Sequence, residues 1–150
     1  MSIRVQVSGY SRPPFRRFTF PREARRWVVE VGPVVRETLK REAPVGKGPT
    51  AGKLRDSIDY TSRVGTNSAQ MTFSTRVPYA KYVLDGTRPH VIRARNARVL
   101  HWTDASGDRF ARVVNHPGTR PNPFPTRAVR PLLPVIQRRF KEITQTSLRG

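Results

Sequence analysis

Nineteen residues, Val77 to Arg95 (VPYAKYVLDGTRPHVIRAR), constrain the fold most, because they hold a helix start, a helix stop and a new strand. Pro78 suits the opening of a short helix. Tyr79, Ala80, Tyr82 and Val83 recur at helical spacing, which predicts one buried aromatic face. Asp85-Gly86 ends that helix, since glycine accepts the left-handed backbone of a helix terminus and Pro89 forbids continuation. His90-Val91-Ile92 then leaves as extended chain. A pivot of this kind belongs to a small α+β domain.

The flanking chain supplies the other elements. Ile3, Val5 and Val7 alternate with polar residues up to Gly9, the period of a half-buried strand. Ser11 to Phe20 (SRPPFRRFTF) reads as an arm, in which phenylalanines beside prolines favour docking into an apolar groove of the same or a neighbouring subunit over stacking on bases. Residues 1–20 are thus a strand and a basic aromatic arm, and 21–150 one domain.

A helix is predicted from about Pro21 to Ala43, with Trp27, Val28, Val31, Val35 and Leu39 as its apolar stripe and a kink or break at Gly32-Pro33. Pro44 to Gly52 is a flexible basic loop. It fails as a phosphate loop, because Lys47 and Leu54 stand where that motif needs glycine and a hydroxyl residue. Ile58, Tyr60, Ser62 and Val64, then Met71, Phe73, Thr75 and Val77, alternate inward around a turn at Gly65 to Ser68, which predicts a β-hairpin. A second hairpin pairs Val99 to Thr103 with Arg109 to Val114 across Asp104 to Asp108.

Asn115 to Pro125 is too rich in proline and glycine for regular structure. A final helix follows from about Thr126, with Ala128, Val129, Leu132, Leu133, Ile136, Phe140 and Ile143 as its stripe, and Pro131 and Pro134 delay its regular part to near Leu133. The expected architecture is α+β: an antiparallel sheet of about four to five strands packed by a long N-terminal and a C-terminal helix, with a short helix between the two hairpins.

Charge bounds the partners. The chain has 29 basic and 10 acidic residues, a net +19, and 24 of the cations are arginine. Residues 1–43, 44–100 and 101–150 carry +6, +7 and +6, so no single tail holds the excess. Such a chain repels its own copies without counter-charge, and nucleic acid, acidic protein surface and anionic lipid all supply it. The absence of cysteine excludes disulfides and thiolate metal sites and permits a reducing compartment. No apolar run approaches a membrane span and the N-terminus lacks a signal-peptide core, so the expectation is a soluble protein made where it is used, with no membrane partner.

Catalytic chemistry is not called for. His90, His101 and His116 lack ligand or acid-base spacing, no Gly-x-Ser-x-Gly element occurs, and the acidic residues are too scattered for a two-metal nuclease. No catalytic residue, metal or cofactor is expected. A small basic ribonuclease using His101 and His116 is chemically permissible, yet the spacing does not ask for it.

Several separated pieces fall in a telling order: Ala43-Pro44 before Gly52-Lys53-Leu54-Arg55-Asp56-Ser57-Ile58; Tyr79-Ala80, Val83 and Gly86-Thr87; Pro89-His90 with Ile92; Leu100-His101-Trp102; His116 to Thr119; and Asn122-Pro123-Phe124 with Ala128. Together, over residues 20–145, they resemble the small neck, or tail-completion, proteins of long-tailed bacteriophages, which help join the DNA-filled head to the tail. This chain departs from that pattern at Asp85, where the family often has glutamate, and at Gly48-Pro49-Thr50, where an acidic residue is common.

The resemblance implies a non-enzymatic virion protein assembled as a ring, a hexamer or dodecamer, in the neck. Its partners would be portal, adaptor and stopper proteins, tail-tube or tail-terminator proteins, and double-stranded DNA in the channel. On that reading Arg12, Arg16, Arg17, Lys47, Lys53 and Arg55 contact DNA or partner rings, while Tyr79, Tyr82, Gly86, His116, Pro117, Gly118 and Phe124 hold the fold or the subunit interface. The alternative is a stand-alone basic nucleic-acid-binding protein, which would bind as a monomer with steep salt dependence.

Overall fold

The computed structural model describes residues 4–10, 20–47, 49–104 and 106–149. The order of elements is β1 (Arg4–Tyr10), α1 (Phe20–Glu42), α2 (Lys53–Asp56), β2 (Asp59–Val64), β3 (Ser68–Ser74), α3 (Ala80–Asp85), β4 (His90–Arg93), β5 (Leu100–Asp104), β6 (Gly107–Ala111), β7 (Val113–His116), α4 (Phe124–Val129), a 3-10 turn (Arg130–Leu132) and α5 (Leu133–Arg149). The class is mixed α+β. Contacts group the chain into two units, Met1–Lys81 with Pro123–Gly150, and Tyr82–Asn122.

The larger unit is built on α1. Phe20, Ala24, Trp27, Val28, Val31, Gly32, Val35 and Leu39 are buried, the stripe that a 3.6-residue period aims at one side. That stripe meets α4, α5, β2 and β3. Phe140 of α5 sets its ring edge against Trp27 (centroids 5.1 Å apart) and Phe20 (6.2 Å), and Trp27 Nε1 donates to the Ile136 carbonyl at 3.4 Å. Below α1, Ala69, Met71, Phe73 and Thr75 are buried in alternation, as the hairpin pattern requires. The sheet order is β1-β3-β2, all antiparallel, with Val5 opposite Phe73 and Tyr60 on the other side of it. The N-terminal strand therefore joins the first hairpin.

Helix α1 runs through Gly32-Pro33 without the predicted break. Proline costs roughly 3 kcal/mol inside a helix, whereas each buried valine contributes about 1.5–3 kcal/mol, and Val28, Val31 and Val35 flank the pair. The bond Pro33 cannot make would go to Val29, which lies on the solvent side, where water substitutes. Gly32 has a packing role: a Cβ there would collide with the ring of Tyr60.

Other expectations need correction. Ser62 is exposed on β2, which is an edge strand of its sheet. The C-terminal helix begins at Phe124 and is divided by the 3-10 turn around Pro131, so that regular α5 starts at Leu133 as proline chemistry required; Leu133 itself is exposed.

The smaller unit replaces the expected continuous sheet. Among the described residues the strands divide into three ladders, β1-β3-β2, β4-β7 and β5-β6. Ladder β4-β7 pairs His90 with His116 through Arg93 with Val113, and β5-β6 pairs Leu100 with Ala111 through Asp104 with Gly107. The two are nested in sequence, and six residues, Ala94 to Val99, stand opposite Arg112 alone. That segment, ARNARV, lacks alternation and cannot extend either ladder, so it bulges. Its base is closed by the Ala94 N–H donating to the Arg112 carbonyl at 3.2 Å.

Candidate assembly surfaces

The Gly-Thr repeats of the sequence meet in space. Thr87 and Thr119 exchange backbone hydrogen bonds (3.0 and 3.1 Å), and their hydroxyls lie 3.1 Å apart. Gly86 (φ 71°) and Gly118 (φ 84°) precede them in left-handed conformation. A Cβ on Gly86 would strike the Thr119 carbonyl, and one on Gly118 the Thr87 carbonyl, so each glycine is required twice, by its backbone and by its neighbour. His116 Nδ1 accepts from the Gly118 N–H at 3.0 Å, which fixes the ring as an acceptor there. Its imidazole packs on that of His90, the opposite residue in the ladder, with centroids 5.0 Å apart. Pro117 completes this turn and is exposed.

Gly86, His116, Pro117 and Gly118 thus form one clasp. Among the other residues expected to hold the fold or an interface, Phe124 is buried in the larger unit, and the half-buried Tyr79 reaches the Thr50 carbonyl with its hydroxyl at 3.4 Å. Tyr82 overturns the expected buried aromatic face: it is 60% exposed, because a six-residue helix covers only one side of itself and Ala80 occupies that side.

The cationic candidates separate. Arg12, Arg16 and Arg17 lie outside the described residues. Lys47 and Lys53 are exposed on a loop whose ends are drawn together by the Gly52 N–H donating to the Val45 carbonyl at 2.8 Å. Gly52 turns it with φ 78°, and buried Leu54 pins it. Arg55 is half-buried and spends part of its charge on Asp56, with Nε 3.0 Å from the carboxylate.

Surfaces that the residue pattern did not reveal complete the inventory. Between α1 and α5 runs an apolar groove of about 380 Å³, lined by Val31, Val34, Val35, Val135 and Ile136. At its rim Arg139 donates to Glu30 at 2.8 Å and to Glu142 at 3.0 Å. The hydrogen bond from Arg139 holds the Glu30 carboxyl below its usual value, with Arg26 assisting. A polar cleft of about 460 Å³ gathers Arg36, Lys40, Arg76 and the hydroxyls of Tyr60 and Thr61.

In the smaller unit both faces of ladder β5-β6 are open to solvent. One face carries Phe110 stacked on His101 (4.6 Å), the other Trp102 beside Arg109. The Thr103 hydroxyl and His101 Nε2 hold Asp108, whose carboxyl is lowered chiefly by the threonine. His101 and His116, the pair that a ribonuclease would need, are each engaged elsewhere. Among the described residues no three metal-ligating side chains cluster, and no helix is long and apolar enough to cross a membrane.

No curated protein and no solved structure matches this chain. Residues 16–86 do match one family model, the HK97-gp10-like family, described as "Bacteriophage HK97-gp10, putative tail-component". That span holds α1, the basic loop, the β2-β3 hairpin and α3 as far as Gly86. Over residues 16–86, just under half of its length, the chain is therefore similar to a family described as a phage tail component.

Proposed function

We propose that this protein forms a ring in the phage neck, around the DNA channel, and joins the DNA-filled head to the tail without enzymatic activity. The observation that carries the reading is the family match over residues 16–86, which supplies the tail-associated virion context. The geometry supports a role in assembly. A chain that leaves Trp102, Phe110, Val91 and Tyr82 in solvent, three of them on two-stranded ribbons, has surface whose burial favours contact with neighbouring subunits. The partners of this reading are further copies in a hexamer or dodecamer, the portal, adaptor or stopper above, the tail tube or terminator below, and double-stranded DNA within.

A nonsense mutation in the gene tests it. Electron microscopy of the lysate is expected to show DNA-filled heads and finished tails that have not joined, and purified protein should restore joining. Normal virions in the mutant lysate would overturn the proposal.

A further inference from the structure

The cations expected to meet DNA lie on the arm and between Lys47 and Arg55, but a second group of exposed positive charge is described elsewhere. The unit Tyr82–Asn122 holds seven arginines and three aspartates. Two aspartates are already committed: Asp104 accepts from Arg109 Nε at 3.2 Å, and Asp108 is taken by Thr103 and His101. Arg93, Arg95, Arg98 and Arg112 are all exposed, and among the described residues none has an ion-pair partner. The bulge gathers them. Arg93 ends the outer ladder opposite Val113, Arg95 and Arg98 sit on the six-residue side, and Arg112 is the single residue facing them, joined to Ala94 by the bond that closes the base.

We infer that this bulge is a binding site for the phosphate backbone of double-stranded DNA, an inference that rests on the reading that the protein surrounds the DNA channel and that names the site on this chain. Four uncompensated guanidiniums on one short bulge raise a local positive potential, and their forked donors match phosphate oxygens. The residues between them, Ala94, Asn96 and Ala97, are small, so a backbone can approach closely. Val99 and the adjoining Val113 are the larger apolar side chains exposed there, and the segment Ala94 to Val99 has no aromatic residue of the kind that anchors protein interfaces, which favours nucleic acid over an acidic protein. Contacts to phosphate carry no base readout, so binding is independent of sequence.

The test uses the full chain and a fluorescein-labelled duplex of mixed sequence, titrated by anisotropy across a salt series. In the variant R93Q/R95Q/R98Q/R112Q the slope of log affinity against log salt should become shallower by about 2 to 4, since each phosphate contact contributes roughly 0.9, and affinity at low salt should fall at least about tenfold. Replacing the same residues by lysine should keep most of the slope, which separates lost charge from a lost fold. The variant K47Q/K53Q/R55Q should lose less than the bulge variant. An unchanged slope in the glutamine variant, with its circular dichroism intact, would overturn the site. So would preferential binding of polyglutamate, which would make the ligand an acidic protein.

Discussion

At the scale of single residues, the glycines of the clasp carry the clearest consequence. Gly86 and Gly118 combine positive φ with a neighbour's carbonyl at the place a side chain would occupy. Gly118→Ala should therefore cost about 1–3 kcal/mol in left-handed strain, before the displacement of Thr87 is counted. The loss should be local. Amide exchange at Thr87 and Thr119 should accelerate strongly while amides of α1 keep their protection, and unchanged exchange at the two threonines would contradict the clasp. Gly32 is a different case, required by the Tyr60 ring and not by its backbone angle, so its substitution should be read out in the packing of α1 on β2.

At the scale of elements, α1 and α5 are held by the Phe20-Trp27-Phe140 cluster within and by Glu30-Arg139 at the rim. The Glu30 carboxyl is depressed by its hydrogen bond from Arg139, so the pair's contribution is fully present above the ordinary glutamate range and is lost as pH falls through the depressed value. Because the pair is exposed, the effect is small and falls with added salt. Glu30→Gln should lower stability slightly at neutral pH and leave it unchanged once the carboxyl of the parent is protonated, so that the acid limb becomes shallower; an unaltered acid limb would contradict it. The helices were legible in the residue pattern because burial on one side imposes a period, and the α1 stripe and the Leu133 start both follow from local chemistry. The division into separate ladders was not. Alternation announces a strand without naming its partner, and the bulge depends on Arg112 alone facing Ala94 to Val99, a register that no local signal encodes. The proline in α1 did not break the helix, since tertiary burial outweighed a local penalty. Of the candidate contacts, the glycine turns were legible from composition, whereas the groove between α1 and α5 arises from two helices separated by most of the chain.

At the scale of the molecule, exposed aromatic residues on a narrow ribbon are surface that the proposed assembly would bury. Phe110 is 65% exposed and has little to lose in the isolated chain, so F110S should melt within a few degrees of the parent. Its incorporation into particles should fall sharply. A large loss of thermal stability with normal incorporation would mean that the ribbon serves the fold alone. The basic bulge adds a second function on the same unit, and its substitution should leave subunit assembly intact while weakening the hold on DNA. The placement of the protein is the central claim, and cryo-electron microscopy of the native particle tests it most directly. The account predicts a ring of density at the head–tail junction into which α1 and the β1-β3-β2 sheet fit, with the Arg93 to Arg112 bulge facing the channel. Density for this chain at any other position in the virion would contradict it.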